Sequence, residues 1–153
     1  MDLLDDELVQ FWKALQDNEV RYIIVGGFAT NLHGFSRTTA DLDLWIQDLP
    51  ENRQRLILAL RQIGLPEMRE LISTQLIPGW TNIHLPSGFE LDMMTYLSGF
   101  ESGYFDDCYV LASTAEIDGV SIRFLHLIRS KEASGRPKDQ IDLLELKRLR
   151  DSL

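Results

Sequence analysis

The chain has few of the sequence features typical of secreted, membrane-spanning and nonspecific nucleic-acid-binding proteins. Its one cysteine, Cys108, cannot form a disulfide within the chain, which fits a reducing compartment. Its apolar runs are far shorter than the roughly 20 residues that span a bilayer. The N-terminal segment MDLLDDELVQ has neither the basic start nor the small-residue cleavage site of a signal peptide. We therefore expect a cytoplasmic protein that does not bind membranes.

Positive charge is also scarce. The chain has 15 Lys and Arg against 24 Asp and Glu, which gives a net charge of −9. This balance argues against a large nonspecific nucleic-acid surface, although it is compatible with a local basic site. The 3 histidines do not share a spacing that suggests zinc. The length of 153 residues and the 44% hydrophobic content predict a single domain, residues 1–153, with a sizeable core.

The segment from Tyr22 to Ile46 predicts a strand, a glycine turn, a short helix and a second strand. Tyr22–Val25 is a short run rich in β-branched residues, and Gly26-Gly27 interrupts it. Residues 28–33 can form a helix that Gly34 ends. In the second strand, residues 41–46, acidic and apolar residues alternate. One face of this strand carries Asp41 and Asp43, and the other carries Leu42, Leu44 and Ile46.

This pattern indicates a phosphate and metal site. Two neighbouring carboxylates repel each other unless a cation lies between them, and Mg²⁺ prefers such oxygen ligands. At Gly26 and Gly27, backbone N–H groups can approach a phosphate closely, next to a helix N-terminus that favours negative charge.

The rest of the chain predicts helices around short strands. Residues 3–18 and 51–63 have the apolar spacing of amphipathic helices. Residues 82–85 and 89–94 predict one hairpin, and residues 96–107 an irregular segment or short helix. Residues 108–117 and 120–125 predict a second hairpin, joined by Asp118-Gly119. Two more helices are expected at residues 126–133 and 138–150, and residues 67–81 stay unassigned.

A third carboxylate can join the first two. Glu90 and Asp92 share one face of their predicted strand. If that strand lies beside Asp41 and Asp43, Asp92 completes a set of three carboxylates. Such a set can hold two divalent ions about 3.5–4 Å apart for in-line displacement at phosphorus, with Asp92 as a ligand and a candidate base. The basic residues available for a triphosphate are Arg37, Lys131, Arg136 and Lys138.

The combination of GG, DLDL and a later ELD strand resembles the nucleotidyltransferase superfamily of the DNA polymerase beta type. The segments RTTADLDLWI, GFELDMM and FLHLIRSKEASGRPKDQIDLLEL resemble its small bacterial branch, related to abortive-infection and type IV toxin–antitoxin nucleotidyltransferases. The resemblance covers roughly residues 20–148. It implies that Lys131 contacts the triphosphate and that Lys138 and Asp139, at the start of the last helix, belong to the site. Glu90 departs from the family pattern, in which an apolar residue is more usual.

The resemblance implies an α/β (α+β) domain with the minimal nucleotidyltransferase fold, a mixed, short-stranded sheet flanked by helices. The implied activity is Mg²⁺-dependent transfer of a nucleoside monophosphate from an NTP to an acceptor hydroxyl, with two Mg²⁺ ions or, alternatively, Mn²⁺. The acceptor is a small molecule, a tRNA or a protein, and a protein partner is left open. Two alternatives remain: a toxin–antitoxin-type enzyme that modifies tRNA or protein, and a catalytically silent nucleotide-binding module.

Each motif also has a plain structural explanation. Asp41 and Asp43 could be the solvent face of an edge strand, and Gly26-Gly27 only a tight turn. Lys131, Arg136 and Lys138 could be ordinary exposed cations, and Asp139 a helix cap. Glu90 is expected to be a solvated strand residue rather than a ligand. Trp45 is expected on the apolar face of its strand, as part of the core rather than as a platform for a base.

Overall fold

The computed structural model describes residues 6–26, 41–77, 81–85, 90–96 and 105–125. The described helices are α1 (Asp6–Asp17), α2 (Pro50–Gln62), a 3₁₀ helix (Arg69–Ile72) and α3 (Phe105–Leu111). The strands are β1 (Tyr22–Val25), β2 (Asp41–Ile46), β3 (Asn82–His84), β4 (Glu90–Met94), β5 (Ser113–Ile117) and β6 (Val120–Phe124). None of the helices in this part of the chain is both long and apolar enough to cross a membrane.

The six strands form one mixed sheet in the order β3-β4-β2-β1-β6-β5. β1 is antiparallel to β2 and parallel to β6, while β2 is parallel to β4. The two outer pairs, β3 with β4 and β5 with β6, are antiparallel. Helices with a mixed sheet confirm the predicted α+β class.

The main core lies on one face of the sheet, beneath α1 and α2. The helices contribute Leu8, Phe11, Leu15, Leu56 and Leu60, all at most 2% exposed. These residues are spaced three or four apart within each helix, so they form the apolar stripes that the sequence predicts. They pack against alternate residues of the central strands, among them Ile24, Leu42, Leu44, Leu91 and Met93.

A second, smaller apolar cluster lies on the opposite face, beneath α3. It contains Ile23, Val25, Trp45, Met94, Phe105, Cys108 and Leu125. The ring of Phe105 contacts Trp45 edge-on, with centroids 5.3 Å apart. The two faces of the sheet are therefore covered by different helices, and the second face is the one that carries Asp43 and Asp92.

Both predicted hairpins are confirmed in their strand pairing. β5 and β6 turn through Asp118 and Gly119, which have φ of 52° and 78°. Two consecutive positive φ angles are those of a type I′ turn, which Asp-Gly favours. In the first hairpin, Asn82 lies opposite Asp92 and His84 opposite Glu90. Its loop, residues 86–89, lies outside the described residues.

The prediction of a strand over residues 108–117 is wrong in its first half. Residues 105–111 form α3, and the strand begins only at Ser113. Phe105, Cys108 and Tyr109 are three and four residues apart, so one helical face can pack all three side chains. Phe105 and Cys108 are buried in the second cluster, and the rings of Phe105 and Tyr109 stack with centroids 5.6 Å apart. Tertiary packing thus outweighs the β propensity of this short segment.

The expected side for Trp45 is also wrong, although its assignment to the core is confirmed. Trp45 is 2% exposed and lies two residues after Asp43, so the strand period places both on the same face. It belongs to the second cluster rather than to the core that contains Leu42 and Leu44. Both faces of β2 are therefore buried at this point, since each is covered by helices.

Asn52 fixes α2 to the sheet. This side chain is 1% exposed, and its Oδ1 accepts a hydrogen bond from the backbone N–H of Arg21 at 2.8 Å. Its Nδ2 donates to the carbonyls of Arg21 and Gln47, each at 2.9 Å. Arg21 precedes β1 and Gln47 follows β2. One amide therefore sets where both of these strands lie relative to the helix.

Candidate active site

Asp43 and Asp92 lie side by side in the centre of the sheet. β2 and β4 run parallel with Asp43 directly paired with Asp92, and Asp41 paired with Glu90. Neighbouring strands are about 4.8 Å apart, so paired residues present their side chains to the same space. Asp92 is only 8% exposed, and Asp43 is half-buried. The parallel register thus brings together two acids that are 49 positions apart in the sequence (92 − 43).

Gly26, at the end of β1, lies directly against Asp43. Its φ is +72°, in the left-handed region that side chains rarely adopt. A Cβ added at Gly26 would collide with Oδ2 of Asp43 and would lie 3.2 Å from its Cγ. The absence of a side chain at this position therefore lets the backbone approach the carboxylate. The first glycine of the turn and the second acid of the Asp-x-Asp pair form one local structure.

The floor next to the two carboxylates is apolar. On β2 and β4, the pair that follows Asp43 and Asp92 on the same face is Trp45 with Met94. Both side chains are buried, with Phe105 packed against Trp45. Within the same cluster, burial raises the pKa of the Cys108 thiol to about 11, with a further contribution from the charge of Asp107. Carboxylates beside such a region interact more strongly with a cation than they would in bulk water.

Three further polar residues line the outer part of the same face. Glu90 is half-buried, whereas Asn82 and His84 on β3 are exposed. By register, Asn82 is beside Asp92, and His84 is beside Glu90. Asn82 is not among the site residues predicted from the sequence. In the sequence, its position can be inferred only from the hairpin register, which places Asn82 opposite Asp92 once the loop length is known.

The remaining predicted site residues lie outside the described parts of the chain. These are Gly27, Arg37, Lys131, Arg136, Lys138 and Asp139. The backbone of Asp41 is described as part of β2, but its side chain is not. Within the described residues, no three His, Cys, Asp or Glu side chains form a group that could hold a metal ion. The predicted set includes Asp41, so the described residues contain only two of its three carboxylates.

Comparison with models of known protein families gives no match, and comparison with curated proteins gives none either.

Proposed function

We propose that this protein is a Mg²⁺-dependent nucleotidyltransferase, an enzyme that moves a nucleoside monophosphate from an NTP to an acceptor hydroxyl. The observation that carries this proposal is the position of Asp43. It is paired with the buried Asp92 on one side and packed against the backbone of Gly26 on the other. A carboxylate pair beside a glycine turn joins the two groups that the reaction requires, metal ligands and a phosphate-binding backbone.

The residues present suit a divalent cation. Two carboxylates at neighbouring register positions, one of them nearly inaccessible to solvent, repel each other when both are ionised. A hard cation with oxygen ligands relieves this repulsion, and Mg²⁺ and Mn²⁺ are such cations. Asp43 and Asp92 would hold the metal, with Asp41 as the third ligand. When bound, the metal would supply positive charge to the phosphates and to the attacking and leaving oxygens.

The protein's own groups would then position the reactants. The Gly26 backbone would lie beside the phosphates, because the missing side chain lets it sit directly against Asp43. Asp92 would accept the proton of the acceptor hydroxyl or orient that hydroxyl toward phosphorus. The apolar floor of Trp45 and Met94 would exclude water from one side of the site, which favours transfer to an acceptor over hydrolysis.

Residues known only from the sequence would complete the site. The sequence pattern predicts that Gly27 and Arg37 bind the nucleotide, and the family resemblance adds Lys138 and Asp139. The resemblance assigns Lys131 to the triphosphate. The three carboxylates contribute three negative charges and a nucleoside triphosphate about four, against four positive charges on two Mg²⁺ ions. A lysine near the phosphates would therefore stabilise the charge of the departing pyrophosphate.

The experiment that tests the proposal is a transfer assay on the full chain. The protein is incubated with each labelled NTP, Mg²⁺ and separate pools of tRNA, protein and small molecules, and both pyrophosphate and labelled acceptor are measured. Release should depend on Mg²⁺ and should fall by at least roughly 10²-fold in Asp43→Asn, the scale of losing a transition-state charge contact. Asp107→Asn, an exposed carboxylate on α3, is the matched control and should keep the wild-type rate.

The same assay separates the rival functions. Labelled tRNA or labelled protein would identify a toxin–antitoxin-type modifying enzyme. NTP binding with Mg²⁺ but without pyrophosphate release would instead indicate a catalytically silent nucleotide-binding module. Equal rates in Asp43→Asn and the wild type would show that the carboxylate pair is not the active site.

A further inference from the structure

A cleft lined by arginines lies at the other end of β1 from the carboxylates. Its volume is about 440 Å³, within the range of about 300–1,000 Å³ found for small-molecule sites. Arg21, Arg55 and Arg123 line it, together with Tyr22, Tyr109 and Glu19. Arg21 precedes β1 and Gly26 follows it, so about 16 Å of extended backbone separates this cleft from the glycine turn.

The charge of the cleft is opposite to that of the chain. Three guanidinium groups and one carboxylate, Glu19, give a local charge of about +2 in a protein whose net charge is −9. Among the described residues, none of the three arginines forms an ion pair with a carboxylate. Elsewhere in the described chain, Lys13, Arg53 and Arg69 each have a carboxylate partner at 2.8–3.3 Å. The cleft therefore keeps an excess of positive charge that Glu19, the one acid among its lining residues, does not neutralise.

Neighbouring groups hold the side chain of Arg123 and the backbone of Arg21. The guanidinium of Arg123 lies 3.8 Å from the centre of the Tyr109 ring, and its Nη1 donates to the Tyr109 carbonyl at 2.8 Å. The guanidinium of Arg21 lies 5.7 Å from the same ring. The backbone of Arg21 is fixed on both sides by the buried amide of Asn52. Less side-chain freedom is lost when a ligand binds to groups that are already fixed.

We propose that this cleft is a second, metal-independent site for a small ligand that carries two or more phosphate charges. Guanidinium groups bind phosphate oxygens through paired N–H donors, and three of them around one cleft suit a polyvalent anion. A small ligand is favoured over a nucleic acid because an extended phosphate backbone would be repelled by the acidic remainder of the surface. The proposal is independent of the proposed transferase activity, since it uses none of the carboxylates.

The test is calorimetric titration of the full chain with pyrophosphate and, separately, with ADP, both in EDTA. Without a divalent ion the carboxylate pair repels these anions, and the arginine variants assign the binding that is left to the cleft. We expect binding to one site, which the double variant Arg21→Gln/Arg55→Gln weakens at least about tenfold, the effect of losing a hydrogen bond to a charged group. Both side chains are exposed, so the variant should fold, and thermal unfolding checks this. The tighter of the two probes identifies whether the phosphates belong to a nucleotide or to a free anion.

Two control variants show whether pyrophosphate and ADP bind in the arginine-lined cleft. Arg61→Gln removes an exposed arginine from the same helix outside the cleft and should leave the affinity unchanged. Asp43→Asn should also retain binding, so that failure of the cleft and failure of the transferase can be told apart. Absence of pyrophosphate and ADP binding would overturn the proposal, as would an equal loss in Arg61→Gln. Citrate, a polycarboxylate of similar charge, should bind more weakly than pyrophosphate, and tighter binding of citrate would contradict the assignment to phosphate.

Discussion

A single missing Cβ decides how closely β1 approaches Asp43. Gly26 and Gly119 have similar positive φ angles, +72° and +78°, but an added Cβ meets Asp43 at the first and nothing within 4 Å at the second. Alanine at either position costs about 1–2 kcal/mol because of the left-handed backbone conformation. Only at Gly26 must the carboxylate also move. Comparing the two alanine variants therefore separates the effect of backbone strain from the effect of the contact with Asp43.

We predict that Gly26→Ala lowers the free energy of unfolding by about 1 kcal/mol more than Gly119→Ala does, because overpacking adds to the strain. We also predict that Gly26→Ala abolishes Mg²⁺-dependent pyrophosphate release, while Gly119→Ala retains it. Urea unfolding gives the first comparison, and the transfer assay gives the second. Equal stability and equal activity in the two variants would show that the contact between Gly26 and Asp43 has no role.

The reactivity of Cys108 measures how well the second apolar cluster, which contains Trp45 and Met94, excludes water. Its pKa is raised from 9.0 to about 11, so at pH 8 the reactive thiolate should be about 10²-fold less populated than in an exposed thiol. Iodoacetamide should therefore modify the native protein far more slowly than the urea-unfolded chain at the same pH. The raised pKa also means that this group's contribution to stability is complete below pH 9 and is lost as the pH rises toward 11. Similar alkylation rates in the native and unfolded states would mean that water reaches this cluster.

At the level of elements, Asn52 joins α2 to the start of β1 and the end of β2. Asn52→Ala leaves the backbone N–H of Arg21 without its partner inside the protein. We expect a loss of about 2–3 kcal/mol in the free energy of unfolding, the cost of a buried unsatisfied donor together with the other lost hydrogen bonds. Gln54→Ala, at an exposed position of the same helix, should change stability by less than about 0.5 kcal/mol. Similar values for the two variants would contradict the role of Asn52.

The elements that the sequence predicted best are those set by local patterns. The α1 stripe and the Asp-Gly hairpin follow from spacings within a few residues, and both are confirmed. The pairing of β4 with β2 could be assumed but not predicted from the sequence, because a parallel pairing depends on contacts between distant segments. The assignment of residues 108–111 to a strand failed for the same reason, since the packing of α3 on Trp45 lies outside any local window.

Long-range packing also explains which features of the candidate site could not be predicted from the sequence. Asp43 and Gly26 were both identified, but their contact depends on the register of β1 against β2. The buried amide of Asn52 and the arginines of the cleft were not identified at all. No local pattern links the three arginines, and only the fold brings Arg21, Arg55 and Arg123 together. The amino-acid composition gives the net charge of the chain, but it does not show how the charges are distributed over the folded surface.

At the scale of the whole molecule, the carboxylate pair and the arginine-lined cleft lie at opposite ends of β1. Asp43 and Asp92 lie at the Gly26 end, and the arginine-lined cleft lies at the Arg21 end. With a net charge of −9, the molecule repels free nucleotides in general, so binding should depend on a cation at one end and on guanidinium groups at the other. The two ends can therefore be probed separately by adding or removing divalent metal.

The proposed activity depends on the carboxylate pair, and the position of a bound metal tests this most directly. Crystals of the full chain soaked with Mn²⁺ and a non-hydrolysable NTP would show the ion by anomalous scattering. We expect a peak about 2.0–2.3 Å from carboxylate oxygens of both Asp43 and Asp92, with the nucleotide phosphates next to Gly26. Peaks only at other positions, or nucleotide bound without metal near these two residues, would contradict the assignment.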